Sequence, residues 1–268
     1  MKLRIKFKKY GPVRFIGHLD VMRFFQKAIR RAGIDVTYTT GFSPHQVMSF
    51  AAPLGVGLES NGEYMDIQVN SLPAPRDGLN SCQVLVEQLN AASVKGLDVV
   101  SARVLPDTAG NAMASVAAAS YTVRFREGRE PKLICGDSSA GSNSSAVDDN
   151  HINEALKTFL EKEEILITKE TKKGTRQVNL RPGIYELIWQ DNAFFMLVDA
   201  SSAGNIKPIQ IIKAFLEDNG ETLKENALLI TREDVFTEVQ NPDDQTKYET
   251  SFLSLGEIGE WSYTGGAL

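Results

Sequence analysis

Thiols are almost missing from this sequence: its 268 residues include two cysteines, Cys82 and Cys135, with no CxxC spacing and no histidine beside either. An iron–sulfur cluster takes about four thiolates, so this chain cannot hold one alone, and no metal-ligand spacing is readable. No metal site is expected. Long apolar runs are absent too; a bilayer-spanning helix needs about 20 apolar residues, so no membrane association is expected. The opening MKLRIKFKKY lacks the apolar stretch of a secretory signal, which points to the cytoplasm. GxxxxGK[ST], strand-linked GxGxxG, HExxH and GxSxG are all missing, which disfavours nucleotide hydrolysis, zinc proteolysis and ordinary serine hydrolysis.

What is present is an uneven distribution of charge. The formal net charge is −5, yet residues 1–50 contain ten Lys/Arg against two acids, while the rest has nineteen against thirty-two. A basic N-terminal quarter is hidden in an acidic whole, so the total charge says little against an anionic partner.

Residues 2–8 alternate polar and apolar without a miss, the period of a strand with one buried face; its other face, Lys2, Arg4, Lys6 and Lys8, is cationic. Helix is predicted from His18 to Arg31 or Ala32, stopped by Gly33. Val21, Phe24, Phe25, Ala28, Ile29 and Ala32 form its apolar face; Arg23, Lys27, Arg30 and Arg31 lie opposite. Strands follow at 35–39, 64–69 and 97–104, with a helix from 76 or 77 to about 92. The second half reads as a strand (121–126), a helix (151–162), a hairpin (165–180) turning at Lys172-Lys173-Gly174, a hairpin around Asp191-Asn192, a helix (207–218) and a strand (227–231). Residues 136–150 read as a Ser/Gly-rich mobile loop.

Strand, helix, strand, strand, helix, strand is the split-βαβ order. The expected fold is therefore α+β: two tandem ferredoxin-like domains with antiparallel sheets, spanning 1–110 and 120–240, then a tail, 241–268, that looks poorly packed apart from Phe252, Leu253 and Trp261. Each sheet should carry helices on one face, leaving the cationic face of the first strand open.

Four cations on one helix face with few acids one turn away raise the prospect of a phosphate-rich partner, RNA above all. The nucleic-acid-binding candidates are Arg14, Arg23, Lys27, Arg30, Arg31, Ser43 and His45, joined by Lys172, Lys173, Arg176 and Arg181. Catalytic candidates, for a metal-independent ribonuclease with a histidine general acid or base, are His18, His45 and Tyr38. A plainer reading competes with both. His18 and Asp20 start the helix, its basic face is merely solvated, and Asp66 and Glu63 neutralise the strand cations across the sheet.

RFIGHLDVMRFFQKAIRRAG, GFSPHQVMSFAAPLGVGLES and GEYMDI, with KKGTRQVNLRPGI further on, resemble the bacterial radical SAM-linked protein family, a domain of unknown function found adjacent to or fused with radical SAM proteins. The resemblance runs from Lys2 to about Thr231, leaving out residues 136–150 and the tail. It implies a radical SAM protein as partner. The iron–sulfur cluster and S-adenosylmethionine would sit on that partner and no cofactor on this chain, which would be an RNA-binding or substrate-presenting accessory in RNA or ribosome-related modification. It supplies no catalytic residue. The strand followed by a His-led helix is also loosely similar to CRISPR-repeat-cleaving endoribonucleases. Two alternatives stand beside the accessory role: the ribonuclease, and a module docking the radical SAM partner without RNA.

Overall fold

Alternation in the first residues does produce a strand, β1 (Lys2–Lys9), whose Leu3, Ile5 and Phe7 are fully buried. A 3-10 turn, Gly11–Phe15, leads to α1 (His18–Arg31), which buries Val21, Phe25, Ala28 and Ile29; Gly33, with φ at 69°, takes the left-handed conformation that ends it. Then come β2 (Met48–Phe50), β3 (Glu59–Gln68), α2 (Ser81–Ala91) and β4 (Val99–Val104). Their sheet order is β4-β1-β3-β2, and all three pairings are antiparallel. Ile5 lies opposite Met65 and Leu3 opposite Ile67. These side chains pack with Phe25, Ile29, Leu85 and Leu89 in one core, so both helices cover the same face of the sheet.

Further along lie β5 (Ala118–Phe125), α3 (Lys132–Cys135), α4 (Asp149–Leu160), β6 (Leu166–Thr171), β7 (Gly174–Asn179), β8 (Ile184–Gln190), β9 (Ala193–Asp199), α5 (Pro208–Asp218), β10 (Leu228–Val239) and β11 (Ser251–Ser254). This computed structural model describes residues 1–135, 149–171, 174–239 and 251–260. Among them the chain is a mixed α+β protein with five α-helices and mostly antiparallel strands. It divides into two compact units: Met1–Ala118 together with the described residues from Arg232 onward, and Ala119–Thr231. In the second unit, β9 lies between β5 and β8, the β6–β7 hairpin forms a separate two-stranded sheet, and Phe159, Trp189, Phe194 and Phe215 interlock edge to face. Asp191 and Asn192, both with positive φ, make the tight β8–β9 turn.

Several expectations need correction. The second helix begins at Ser81, not 76 or 77, because Asp77 and Gly78 take positive φ, outside the helical region. Asn80 then caps it reciprocally with Gln83. Residues 35–39 supply only isolated bridges, Val36 to Val69 and Tyr38 to Gln46. Of the tail, residues 251–260 are described: β11 pairs with β10, and Leu255 is wholly buried. Residues 136–148, Lys172, Lys173 and Trp261 lie outside the described residues.

The cationic face of β1 is not open. Arg4 is 2% exposed and holds both carboxylate oxygens of Asp66, at 2.8 and 3.0 Å. Lys6 pairs with Asp234 of β10 at 3.0 Å, and Lys2 donates to the Ala109 carbonyl. Asp234 lies 228 residues beyond Lys6. No local pattern announces that partner.

Candidate functional site

On α1 the apolar stripe turns inward, so its cations project to solvent. Arg23 is 67% exposed, with Asp20 3.4 Å away, a contact worth little in water. Lys27 and Arg30 are exposed, and among the described residues neither has a carboxylate within ion-pair distance. Arg31 behaves differently: it donates to the Ala92 carbonyl at 2.7 Å, its guanidinium 5.8 Å from the centre of the Phe24 ring.

Beside this face stands the loop Gly41–Gln46. Gln46, 5% exposed, donates from its side chain to the Gln26 carbonyl of α1 at 3.1 Å. Gln26 lies within one turn of Arg23, Lys27 and Arg30, so the loop is fixed against the basic helix. The His45 ring sits 3.1 Å from the Thr39 hydroxyl and 3.4 Å from the Ser43 carbonyl, which holds it inside the loop. Ser43 is exposed, Phe42 is fully exposed at the tip, and Tyr38 is 45% exposed. A stacking platform on the first strand is not expected from the sequence. The exposed aromatics are on loops instead, and the signal for Phe42 is a lone aromatic in a Gly-x-Ser-Pro turn with no apolar neighbour.

The other described basic candidates each have surroundings of their own. Arg14 is bound to Glu59 at 2.8 Å and lies over the Phe15 ring at 4.8 Å, bracing the turn before α1. Arg181, in the second unit, donates to the Leu160 carbonyl at 2.6 Å and so satisfies the end of α4. Arg176 is exposed on β7, opposite Lys169.

Beneath the start of α1 lies a cluster that the sequence does not announce. Glu63 (5% exposed) is held by Arg232 (4% exposed), whose guanidinium also donates to the Ala52 carbonyl. Lys9, 2% exposed, donates to the Ile16 carbonyl at 3.0 Å, and burial lowers its pKa against the opposing pull of Glu63. His18 meets the Phe50 ring edge-on at 4.9 Å. Burial lowers its pKa as well, while Glu63 acts to raise it and Lys9 to lower it.

His18 opens α1, and the loop bearing His45 is fixed at Gln26, eight residues on. Gln26 lies roughly 12 Å beyond His18 along the helix axis, at about 1.5 Å per residue. The lowered His18 pKa has a stability consequence. Its imidazole binds a proton less readily folded than unfolded, so the burial penalty is absent above the unfolded pKa and complete below the folded one. Acidification from pH 7 to 5 is therefore expected to destabilise the protein, and His18→Gln should flatten part of that slope. Urea midpoints across this range check it; parallel slopes for the two proteins would contradict it.

Among the described residues no three His, Cys, Asp or Glu side chains gather as a metal site, and no helix is long and apolar enough to cross a membrane. Cys82 is buried and Cys135 exposed. No curated protein matches the chain. A family model described as "uncharacterized protein conserved in bacteria (DUF2344)" matches residues 2–208, which takes in α1, the Gly41–Gln46 loop and both strands carrying the Arg4–Asp66 pair; the chain belongs to this bacterial family.

Proposed function

We propose that this chain is an RNA-binding accessory protein, without a reaction of its own, that holds single-stranded RNA along the outer face of α1. One observation carries the reading: Arg23, Lys27 and Arg30 are presented to solvent without a strong carboxylate partner among the described residues, while Arg4 and Lys6 of β1 are paired with Asp66 and Asp234. The loop fixed at Gln26 adds Phe42 and Tyr38, exposed aromatics of the type on which bases stack. The resemblance of RFIGHLDVMRFFQKAIRRAG and GFSPHQVMSFAAPLGVGLES to radical SAM-linked proteins supports a cytoplasmic radical SAM enzyme as partner, carrying the cluster and the S-adenosylmethionine. The order β4-β1-β3-β2 supports a ferredoxin-like reading of the first unit.

Binding of a fluorescent 20-nucleotide oligo(U), followed by anisotropy between 50 and 200 mM salt, tests the proposal. Replacing Arg23, Lys27 and Arg30 together with Gln is expected to reduce the slope of log K against log salt by about 2, at roughly 0.7 per phosphate contact on a single strand. An unchanged slope would remove these residues from the interface. A second reading, docking onto a protein partner without RNA, is favoured by the exposed Phe15, Leu19 and Val56 near the start of α1. A partner captured equally well after ribonuclease treatment would favour it.

A further inference from the structure

Between the C-terminal ends of α1 and α2 lies an open groove of about 730 Å³, lined by Phe24, Arg31, Gln88, Ala91, Ser93 and Val94 among others. Its volume is within the roughly 300–1,000 Å³ of small-ligand sites. Arg23, Lys27 and Arg31 follow one another at i, i+4 and i+8, a single row along the helix surface, and the row ends at the groove. There the guanidinium is held in place, anchored to the Ala92 carbonyl and set over Phe24. It offers a flat cation on which a planar ring can stack.

We infer that this groove takes an unstacked nucleobase from an RNA strand whose phosphates run along Arg23, Lys27 and Arg30. The inference rests on the RNA-binding reading above. Electrostatics separates the two parts of the nucleotide. Two helix C-termini converge here and carry partial negative charge, which disfavours a phosphate in the groove and suits the N–H edge of a base. Gln88 is half-buried at the wall, and its side-chain amide has no hydrogen-bond partner among the described residues. A carboxamide can pair with the N6 and N7 atoms of adenine through two hydrogen bonds, so adenine is the base this wall fits best.

The test compares binding of a ten-nucleotide oligo(A) with an abasic ribose-phosphate oligomer of equal length, to the full chain and to Ala91→Trp, which fills the groove from an exposed position. The unaltered protein is expected to prefer oligo(A) by about tenfold, within the range that one stacked base supplies. Ala91→Trp should cut the preference severalfold and leave the salt slope unchanged. Gln88→Trp serves the same end if Ala91→Trp does not fold. Equal binding of the two oligomers with a normal salt slope would overturn the groove inference and leave the phosphate-binding face standing. So would a preference that both substitutions leave undiminished. Binding of neither oligomer would overturn the RNA-binding reading and this inference with it.

Discussion

Replacing Glu63 with alanine is expected to cost the first unit about 3–5 kcal/mol, the usual penalty when one partner of a buried ion pair is removed. Glu63 sits against Arg232 and near Lys9, both almost fully buried, so its loss leaves two cations without their carboxylate in a low-dielectric interior. The damage should reach α1, because the same cations hold the chain that precedes and flanks it: Lys9 donates to the Ile16 carbonyl and Arg232 to that of Ala52. Native-state hydrogen exchange reads this unit by itself. Amides of α1 and β3 that exchange through global opening should exchange faster by roughly two to four powers of ten, at about 1.36 kcal/mol per tenfold. Replacing Glu63 and Arg232 together with Met should recover part of the loss, since Lys9, which keeps its bond to the Ile16 carbonyl, is then the one cation of the pair left without the carboxylate. Protection unchanged in Glu63→Ala would mean that water already reaches the cluster.

Local physics was legible in the sequence, and distant pairing was not. The alternation of β1, the two faces of α1, its stop at Gly33 and the Asp191-Asn192 turn all follow from neighbours within a few positions, where periodicity and turn chemistry act. The Arg4–Asp66 pair was within reach because strands in a split-βαβ order bring those residues opposite each other. Arg232 is 169 residues from Glu63, and nothing near either residue marks the other as its partner. The face of β1 looks open in the sequence for the same reason, because Asp234, the partner of Lys6, lies 228 residues away. Phe42 escaped for a different reason. A single aromatic among Gly, Ser and Pro carries no periodicity, and only the anchoring of its loop at Gln26 makes it part of a surface with the basic helix.

Gly62→Ala is expected to be among the most damaging small substitutions in the first unit. A β-carbon there would lie 2.7 Å from the Glu233 carbonyl oxygen, 2.7 Å from the Asp234 carboxylate and 2.9 Å from the Asp234 α-carbon. Two of these atoms are backbone or bonded directly to it, so no side-chain rotation relieves the clash, and β3 must move from the adjacent β10. Its φ is not in the left-handed region, so the cost comes from crowding rather than from backbone conformation. Displacement would also strain contacts that depend on the close approach of these strands, namely Asn61 to Glu233 at 2.7 Å and the hydrogen bonds of Tyr64 and Ser254 with Asp234. Overpacking at one methyl group usually costs about 1–3 kcal/mol, and the loss of these bonds should take Gly62→Ala to the top of that range or beyond. Gly55→Ala is the control: its β-carbon would meet only Leu58, at an ordinary 3.7 Å, and a change within about 0.5 kcal/mol is expected. If hydrogen exchange in β3 responds equally weakly to both substitutions, β3 and β10 do not approach each other at Gly62 in this way, and the burial of the Glu63–Arg232 pair loses its structural basis.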